Sequence, residues 1–167
     1  MSGVFPEAAD LSAFYQNLKS GRDSIRFPAR ERLVYSGASI FEKYKQIGHL
    51  GRIDLFDPVY FGLSKGEADE MSPRQRILLQ LLCHAIEDAG YPVEDLNGSE
   101  TSLYVAGTAD YTYLSKINNE DSATAISGNL AALEAGRLAH TLGLTGPAMM
   151  VDTSCSSALI AIYQAAR

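Results

Sequence analysis

One thiol near the C-terminal end of the chain sits where residue types and spacing suit nucleophilic chemistry. The stretch Val151-Asp152-Thr153-Ser154-Cys155-Ser156-Ser157-Ala158-Leu159-Ile160 packs small residues on both sides of Cys155. The apolar run Ala148-Met149-Met150-Val151 precedes it, and residues 158–166, apolar apart from Tyr163 and Gln164, follow it. This reads as strand, sharp turn, helix. Such a bend holds a nucleophile clear of the backbone at a helix start. The unbonded N–H groups there and the positive end of the helix dipole stabilise an anion. A thiol at that place favours its thiolate, the attacking species in acyl transfer. A free cysteine is otherwise commonly buried and inert. The small polar residues flanking Cys155 argue for the reactive role.

The rest of the chain must position that turn. Its 167 residues are enough for one ordinary domain with a real core. A hydrophobic content of 46% and a charged content of 20% fit a globular protein. The net charge of −6, with no basic stripe, gives no support for a nucleic-acid surface. Cys83 and Cys155 fall on separate predicted elements, which suggests reduced thiols and not a disulfide framework. No run approaches the length of a membrane span, and residues 1–6 lack the basic start and apolar core of a signal peptide. A cytoplasmic protein is the default expectation, without a membrane or nucleic-acid partner.

The periodicity predicts a helix over residues 11–19, capped by Asp10, with Leu11, Phe14, Tyr15 and Leu18 on one face and Gly21 ending it. Residues 21–51 read as a long connection with a short element or two. A short helix is expected over 66–70. The clearest helix starts at Pro73, with Ser72 as N-cap and Gln75 completing a capping box. Leu78, Leu81, Leu82, Ala85, Ile86 and Ala89 recur at helical spacing, Gly90 closes the helix, and Arg74, Gln80, Glu87 and Asp88 should lie outward. His84 is expected at the surface or its boundary. Residues 101–107 suit a buried strand, and 108–121, with Tyr111 and Tyr113, a surface excursion. Asn129 should cap a helix over 130–142 that Gly143 terminates, and Gly146-Pro147 should turn the chain into the strand before Cys155. Strands alternating with helices argue for α/β layers around a mainly parallel sheet. The helix after Cys155 is apolar nearly all round, the mark of one buried between layers.

These residues resemble the β-ketoacyl synthases, the condensing enzymes of fatty-acid and polyketide assembly. Asp152-Thr153-Ser154-Cys155-Ser156-Ser157 is similar to the family's Asp-Thr-Ala-Cys-Ser-Ser, with Ser154 a mild departure. Ser2-Gly3-Val4-Phe5-Pro6 resembles its Met-Ser-Gly-Arg-Phe-Pro opening. Phe56-Asp57-Pro58, Phe61-Gly62 and Glu67-Ala68 resemble its Phe-Asp-Pro, Phe-Phe-Gly and Glu-Ala signature. Met71-Ser72-Pro73-Arg74-Gln75-Arg76 is similar to Met-Asp-Pro-Gln-Gln-Arg, and Glu87-Asp88-Ala89-Gly90 to the end of the same family helix. Gly128-Asn129, Ala135-Gly136-Arg137, Leu142-Gly143-Leu144 and Gly146-Pro147 match its run into the turn. In this order and at these separations the motifs are very specific, and they look most like the ketosynthase domains of modular polyketide synthases. Lys65 replaces a common proline, and Cys83 stands where an aromatic, usually Trp, is frequent.

The resemblance implies a thiolase-like fold, two similar α/β halves of which residues 1–167 would form the first, lacking its first strand. It implies an acyltransferase of the 3-oxoacyl-[acyl-carrier-protein] synthase type. An acyl group would pass from the phosphopantetheine arm of an acyl carrier protein to Cys155, and a decarboxylative Claisen condensation would follow in a complete, homodimeric domain. No bound cofactor or metal is implied. The family's two catalytic histidines and supporting lysine belong to the second half. His49, His84 and His140 stand at none of those motif positions, and His140 falls where an aromatic is frequent. The isolated residues should therefore lack condensation activity. A non-catalytic ketosynthase-like partner or remnant is the alternative, though chain-length partner subunits usually lack the cysteine. A Cys-His hydrolase would need a histidine held by a third group, and nothing local suggests one.

Overall fold

A computed structural model of the chain pairs the strand before Cys155 with a single parallel neighbour among the described residues, which are 1–28, 46–110, 112–117 and 122–167. Leu103–Ala106 (β1) lies beside Ala148–Val151 (β2), with Leu103 opposite Ala148 and Ala106 opposite Val151. The class is mixed α/β with a parallel sheet, as the alternation of elements predicts.

The described residues form two compact units, Met1–Ile53 and Asp54–Arg167. In the first, helix α1 is Leu11–Lys19, and Asp10 Oδ1 accepts the Ala13 N–H at 2.7 Å, as expected of an N-cap. Phe14 stacks on Phe5 with ring centroids 4.0 Å apart. Arg26 and Ile47 exchange two backbone hydrogen bonds. Much of the long connection read over 21–51, together with Tyr111 and residues 118–121 of the predicted excursion, lies outside the described residues.

The second unit holds α2 (Lys65–Glu70), α3 (Pro73–Asp88), β1, α4 (Ala123–Ser127), α5 (Ala131–Thr141), β2 and α6 (Ser157–Ala165). Gly21, Gly90 and Gly143 follow α1, α3 and α5 with φ of +67°, +87° and +67°, the left-handed stops the sequence predicts. Gly146 is required by space: a Cβ there would sit 2.6 Å from the carbonyl oxygens of Glu100 and Thr101. The chain thus passes hard against the lead-in to β1 before entering β2. The core gathers Met71, Leu79, Leu103, Val105, Ala135, Leu138 and Ala139, so β1, α3 and α5 share it. Phe56 and Phe61, stacked at 5.0 Å, pack against its edge.

Several expectations need correction. Ser72 caps α3 by accepting the Gln75 N–H at 3.3 Å, but no reciprocal box forms. The Gln75 amide is buried and donates from Nε2 to the Ser127 carbonyl at 3.4 Å, while the Ser72 N–H goes to the Gly128 carbonyl. Tertiary contact with the end of α4 outcompetes the local bond. The buried stripe of α3 is Gln75, Leu79 and Cys83, rotated from the predicted one, and Ala89 is exposed. Asn129 does not cap α5. It is buried, and its Nδ2 donates to the Glu70 and Ala125 carbonyls at 2.8 and 2.7 Å, closing the end of α4, an element the sequence reading omits. Leu130 takes the cap position without a side-chain bond. His84 is exposed, as expected.

Helix α6 also departs from its pattern. It packs along β1 and β2 through Ser157 and Ala161, its buried residues, while Leu159, Ile162 and Tyr163 are 73%, 66% and 56% exposed. The Arg167 guanidinium lies 5.2 Å from the Tyr163 ring centre, but Leu159 and Ile162 stay largely exposed, and Met149 of β2 is half-exposed as well. Apolar side chains of this size each gain about 1.5–3 kcal/mol on leaving water. The 167 residues alone are therefore expected to self-associate through this helix. Sedimentation velocity should show concentration-dependent association, weakened about tenfold or more by Leu159→Lys with Ile162→Lys. A monodisperse monomer at all concentrations would contradict this.

Candidate active site

β2 delivers the chain to Asp152, and the next residues close a tight turn of 3-10 type over Ser154–Ser156 before α6 begins. Cys155 occupies the middle of that turn, one step earlier than the helix start expected from the sequence. Its side chain is exposed, and Sγ lies 3.9 Å from Ser154 Oγ.

The turn is wired by its own small polar residues. Asp152 Oδ1 accepts the Ser154 N–H at 3.2 Å. Ser157 Oγ accepts the Thr153 N–H at 2.8 Å and donates to the Ser154 carbonyl at 2.7 Å. Ser156 Oγ donates to the Thr153 carbonyl at 2.9 Å. Ser154 has φ +56°, in the left-handed region that non-glycine residues occupy at a cost of about 1–3 kcal/mol. The Cys155 N–H takes part in none of these bonds. A strained residue therefore projects the next side chain, with its own N–H unclaimed by the turn, just ahead of a helix N-terminus.

Ser157 is the buried keystone, and sequence reasoning treats it only as part of a motif. Ser157→Ala removes both of its bonds at a cost of about 1–3 kcal/mol, since two backbone groups lose their partner. Any reaction of the exposed Cys155 thiol with a thioester probe is expected to slow about tenfold as the turn loosens. Stopped thioester exchange and a thermal melt on the same variant would check this, and an unchanged rate would contradict it.

Among the described residues no histidine hydrogen-bonds Cys155. His49 belongs to the first unit, with Nδ1 3.4 Å from the Ile47 carbonyl. His84 is exposed on α3. His140, at the end of α5, lines a cavity of about 350 Å³ with Tyr60, Phe61, Cys83, Glu94 and Asn97, and Cys155 is not among its lining residues. The second thiol is a different case from the first. Burial, and next the Glu87 carboxylate, push the Cys83 thiol up, against a weaker opposing hydrogen bond from Tyr60. Among the described residues no cluster of His, Cys, Asp or Glu could hold a metal ion. No helix of the described residues is long and apolar enough to cross a membrane.

The sequence reading misses the charged ties behind the turn. Arg74, expected outward, is half-buried and makes a two-pronged pair with Glu134, Nε to Oε1 at 2.9 Å and Nη2 to Oε2 at 2.6 Å. Glu134 is wholly buried. Its place among Ala131, Ala135 and Leu138, on the apolar side of α5, is the signal that an inward charge needed a partner. Arg137 likewise joins α5 to Glu67 of α2 at 2.8 Å and to Ser127 Oγ at 2.7 Å.

The family model for the N-terminal domain of β-ketoacyl synthases matches residues 1–167. Polyketide synthase PksN of Bacillus subtilis is 37% identical over 99% of this chain and 3% of its own length. The non-reducing polyketide synthase mapC of Penicillium brevicompactum is 36% identical over 100% of this chain and 7% of its own. Among solved structures, the ketosynthase from module 6 of the bacillaene synthase of Bacillus subtilis superimposes with a TM-score of 0.80 at 32% identity, over 99% of this chain and 27% of that one. The oxazolomycin ketosynthase domain OzmH KS7 of Streptomyces albus gives 0.75 at 27% identity, over 98% of this chain and 30% of that one. The chain thus spans a small part of each of these proteins.

Proposed function

The chain belongs to the β-ketoacyl synthase family, matching its N-terminal domain, and from that premise we propose that it contributes the acyl-accepting half of a ketosynthase in a polyketide synthase. Cys155 is the acyl acceptor. The supporting observation is its exposed thiol on the strained Ser154–Ser156 turn, with the Cys155 N–H outside the turn's hydrogen bonds.

The reaction follows from that arrangement. An acyl group arrives as a thioester on the phosphopantetheine arm of an acyl carrier protein. The Cys155 thiolate adds to its carbonyl carbon, forming a C–S bond and a tetrahedral oxyanion. The Cys155 N–H and the helix start beside it are suited to bear part of that charge. Collapse breaks the C–S bond to the carrier, whose thiolate leaves and takes up a proton. In the condensation, a malonyl-type thioester loses carbon dioxide, its enolate attacks the Cys155 thioester carbon, and the Cys155 thiolate departs. This step draws on donors that the turn does not contain. The intact enzyme works as a cytoplasmic homodimer and binds no resident cofactor, its substrates being carried as phosphopantetheine thioesters.

A non-catalytic ketosynthase-like module is the weaker reading, because an exposed, positioned thiol is of no use to a purely structural part. Peptide mapping after incubation with an acyl-pantetheine thioester tests the assignment. The acyl mass should appear on the peptide holding Cys155 and on no other; acylation elsewhere, or none in the intact polypeptide, would overturn it.

A further inference from the structure

Taking Cys155 as the acyl acceptor, as proposed above, we infer that Arg74 is a positioning residue for acyl transfer, acting on the Cys155 turn through the chain that leaves β1. Its guanidinium uses three nitrogens. Two grip Glu134, and the third, Nη1, donates to the Thr108 carbonyl at 2.6 Å. A rigid planar fork held on one side by a buried carboxylate fixes the direction of its remaining donor. That donor holds the first residues beyond β1.

From there the contacts lead to the turn. The Gly107 N–H donates to the Val151 carbonyl at 3.2 Å, one rung past the strand pairing. A Cβ on Gly107 would meet Met150 Cε at 3.2 Å and Arg74 Nη1 at 3.6 Å, so Arg74 and β2 close on this backbone from the side chain's place. Val151 is the last residue of β2, and Asp152 beside it holds the Ser154 N–H. Arg74 therefore clamps the chain at Gly107–Thr108 against the strand end that aims Cys155. The same loop is tied again farther on: Tyr113 donates its hydroxyl to the Asp69 carbonyl at 2.7 Å, and Arg76 lies 5.8 Å from the Tyr113 ring centre.

A positioning role predicts more than lost stability. In the intact polypeptide, acyl loading from a pantetheine thioester is measured per titratable Cys155 thiol, so that misfolded protein does not count. Arg74→Met with Glu134→Leu replaces the pair by apolar side chains of similar bulk and strands no charge. Its loading kcat should fall about tenfold or more at unchanged KM, with the melting temperature little altered. Arg74→Gln should lose as much, whereas Arg74→Lys, which keeps a cationic donor for Thr108, should lose only about threefold. A double variant that loads at the wild-type rate per thiol overturns the inference, as does one whose KM rises at constant kcat. If the double variant fails to fold, equal rates per thiol in Arg74→Gln and Arg74→Lys overturn it. Loading that persists in Cys155→Ala overturns the acceptor assignment itself, whereas a wild-type rate in the double variant, with loading lost in Cys155→Ala, overturns the clamp alone.

Discussion

Cys155→Ala is expected to abolish acyl loading, by about three orders of magnitude or more, with no loss of fold. The other candidates for the role fail on physical grounds. Ser154 and Ser156 flank the thiol, but Ser156 Oγ is engaged with the Thr153 carbonyl, and no base among the described residues contacts either hydroxyl. Cys83 is buried, and its thiol is held above the usual range by that burial and by Glu87. Being raised, it stays protonated at neutral pH and is a poor nucleophile there, and its burial shields it, while the Cys155 thiol is open to reagent. Iodoacetamide at neutral pH should therefore add one group to the wild-type chain, on Cys155, and none to the variant. The reactivity of Cys83 should appear only as the pH rises well past that of an ordinary cysteine. Intact mass after incubation with an acyl-pantetheine thioester reads the same contrast. Normal loading of Cys155→Ala would remove the assignment altogether.

The side chain of the replaced residue does not hold the turn together, which is why the fold should survive. The bonds that shape it come from Asp152, Ser156 and Ser157. This also explains what could be read from the sequence and what could not. Local chemistry was legible: the caps at Asp10 and Ser72, the glycine stops, both short strands and the thiol between small residues depend on neighbours a few positions away. Features set by distant partners were not. Gln75 looks like a capping-box residue until the end of α4 claims its amide. Asn129 looks like a helix cap until the Glu70 and Ala125 carbonyls compete for it. Arg74 reads as a surface charge because its partner, Glu134, lies on another helix. The all-round apolar pattern of α6 reads as a helix buried between layers, but among the described residues only Ser157 and Ala161 of it are buried, and a pattern cannot say what provides cover.

Condensation by these 167 residues alone is expected to be undetectable, even if Cys155 loads normally. Decarboxylation leaves charge on an enolate oxygen, and that charge must be met by positioned donors. Each such donor is worth about 10²–10³ in rate, so lacking a pair of them lowers turnover by on the order of 10⁴ or more. Two guanidinium groups of the second unit are engaged elsewhere. Arg74 is committed to Glu134 and Thr108, and Arg137 to Glu67 and Ser127. His84 is exposed on the flank of α3, and His140 borders the cavity that holds Cys83. His49 lies in the first unit, beside the Ile47 carbonyl. None of them hydrogen-bonds Cys155. The resemblance to ketosynthases assigns this work to two histidines from the family's second half. The measurement supplies the purified residues with acyl and malonyl carrier thioesters and looks for the β-ketoacyl product by mass. Product should be absent, while the acyl-Cys155 thioester accumulates and is only slowly exchanged. Adding a separately expressed second half of a ketosynthase, with its histidines intact, should bring product back if the two parts dock, and changing those histidines to Ala should remove it again. Cys155-dependent product from the 167 residues by themselves would mean that they supply donors for the enolate without a second half.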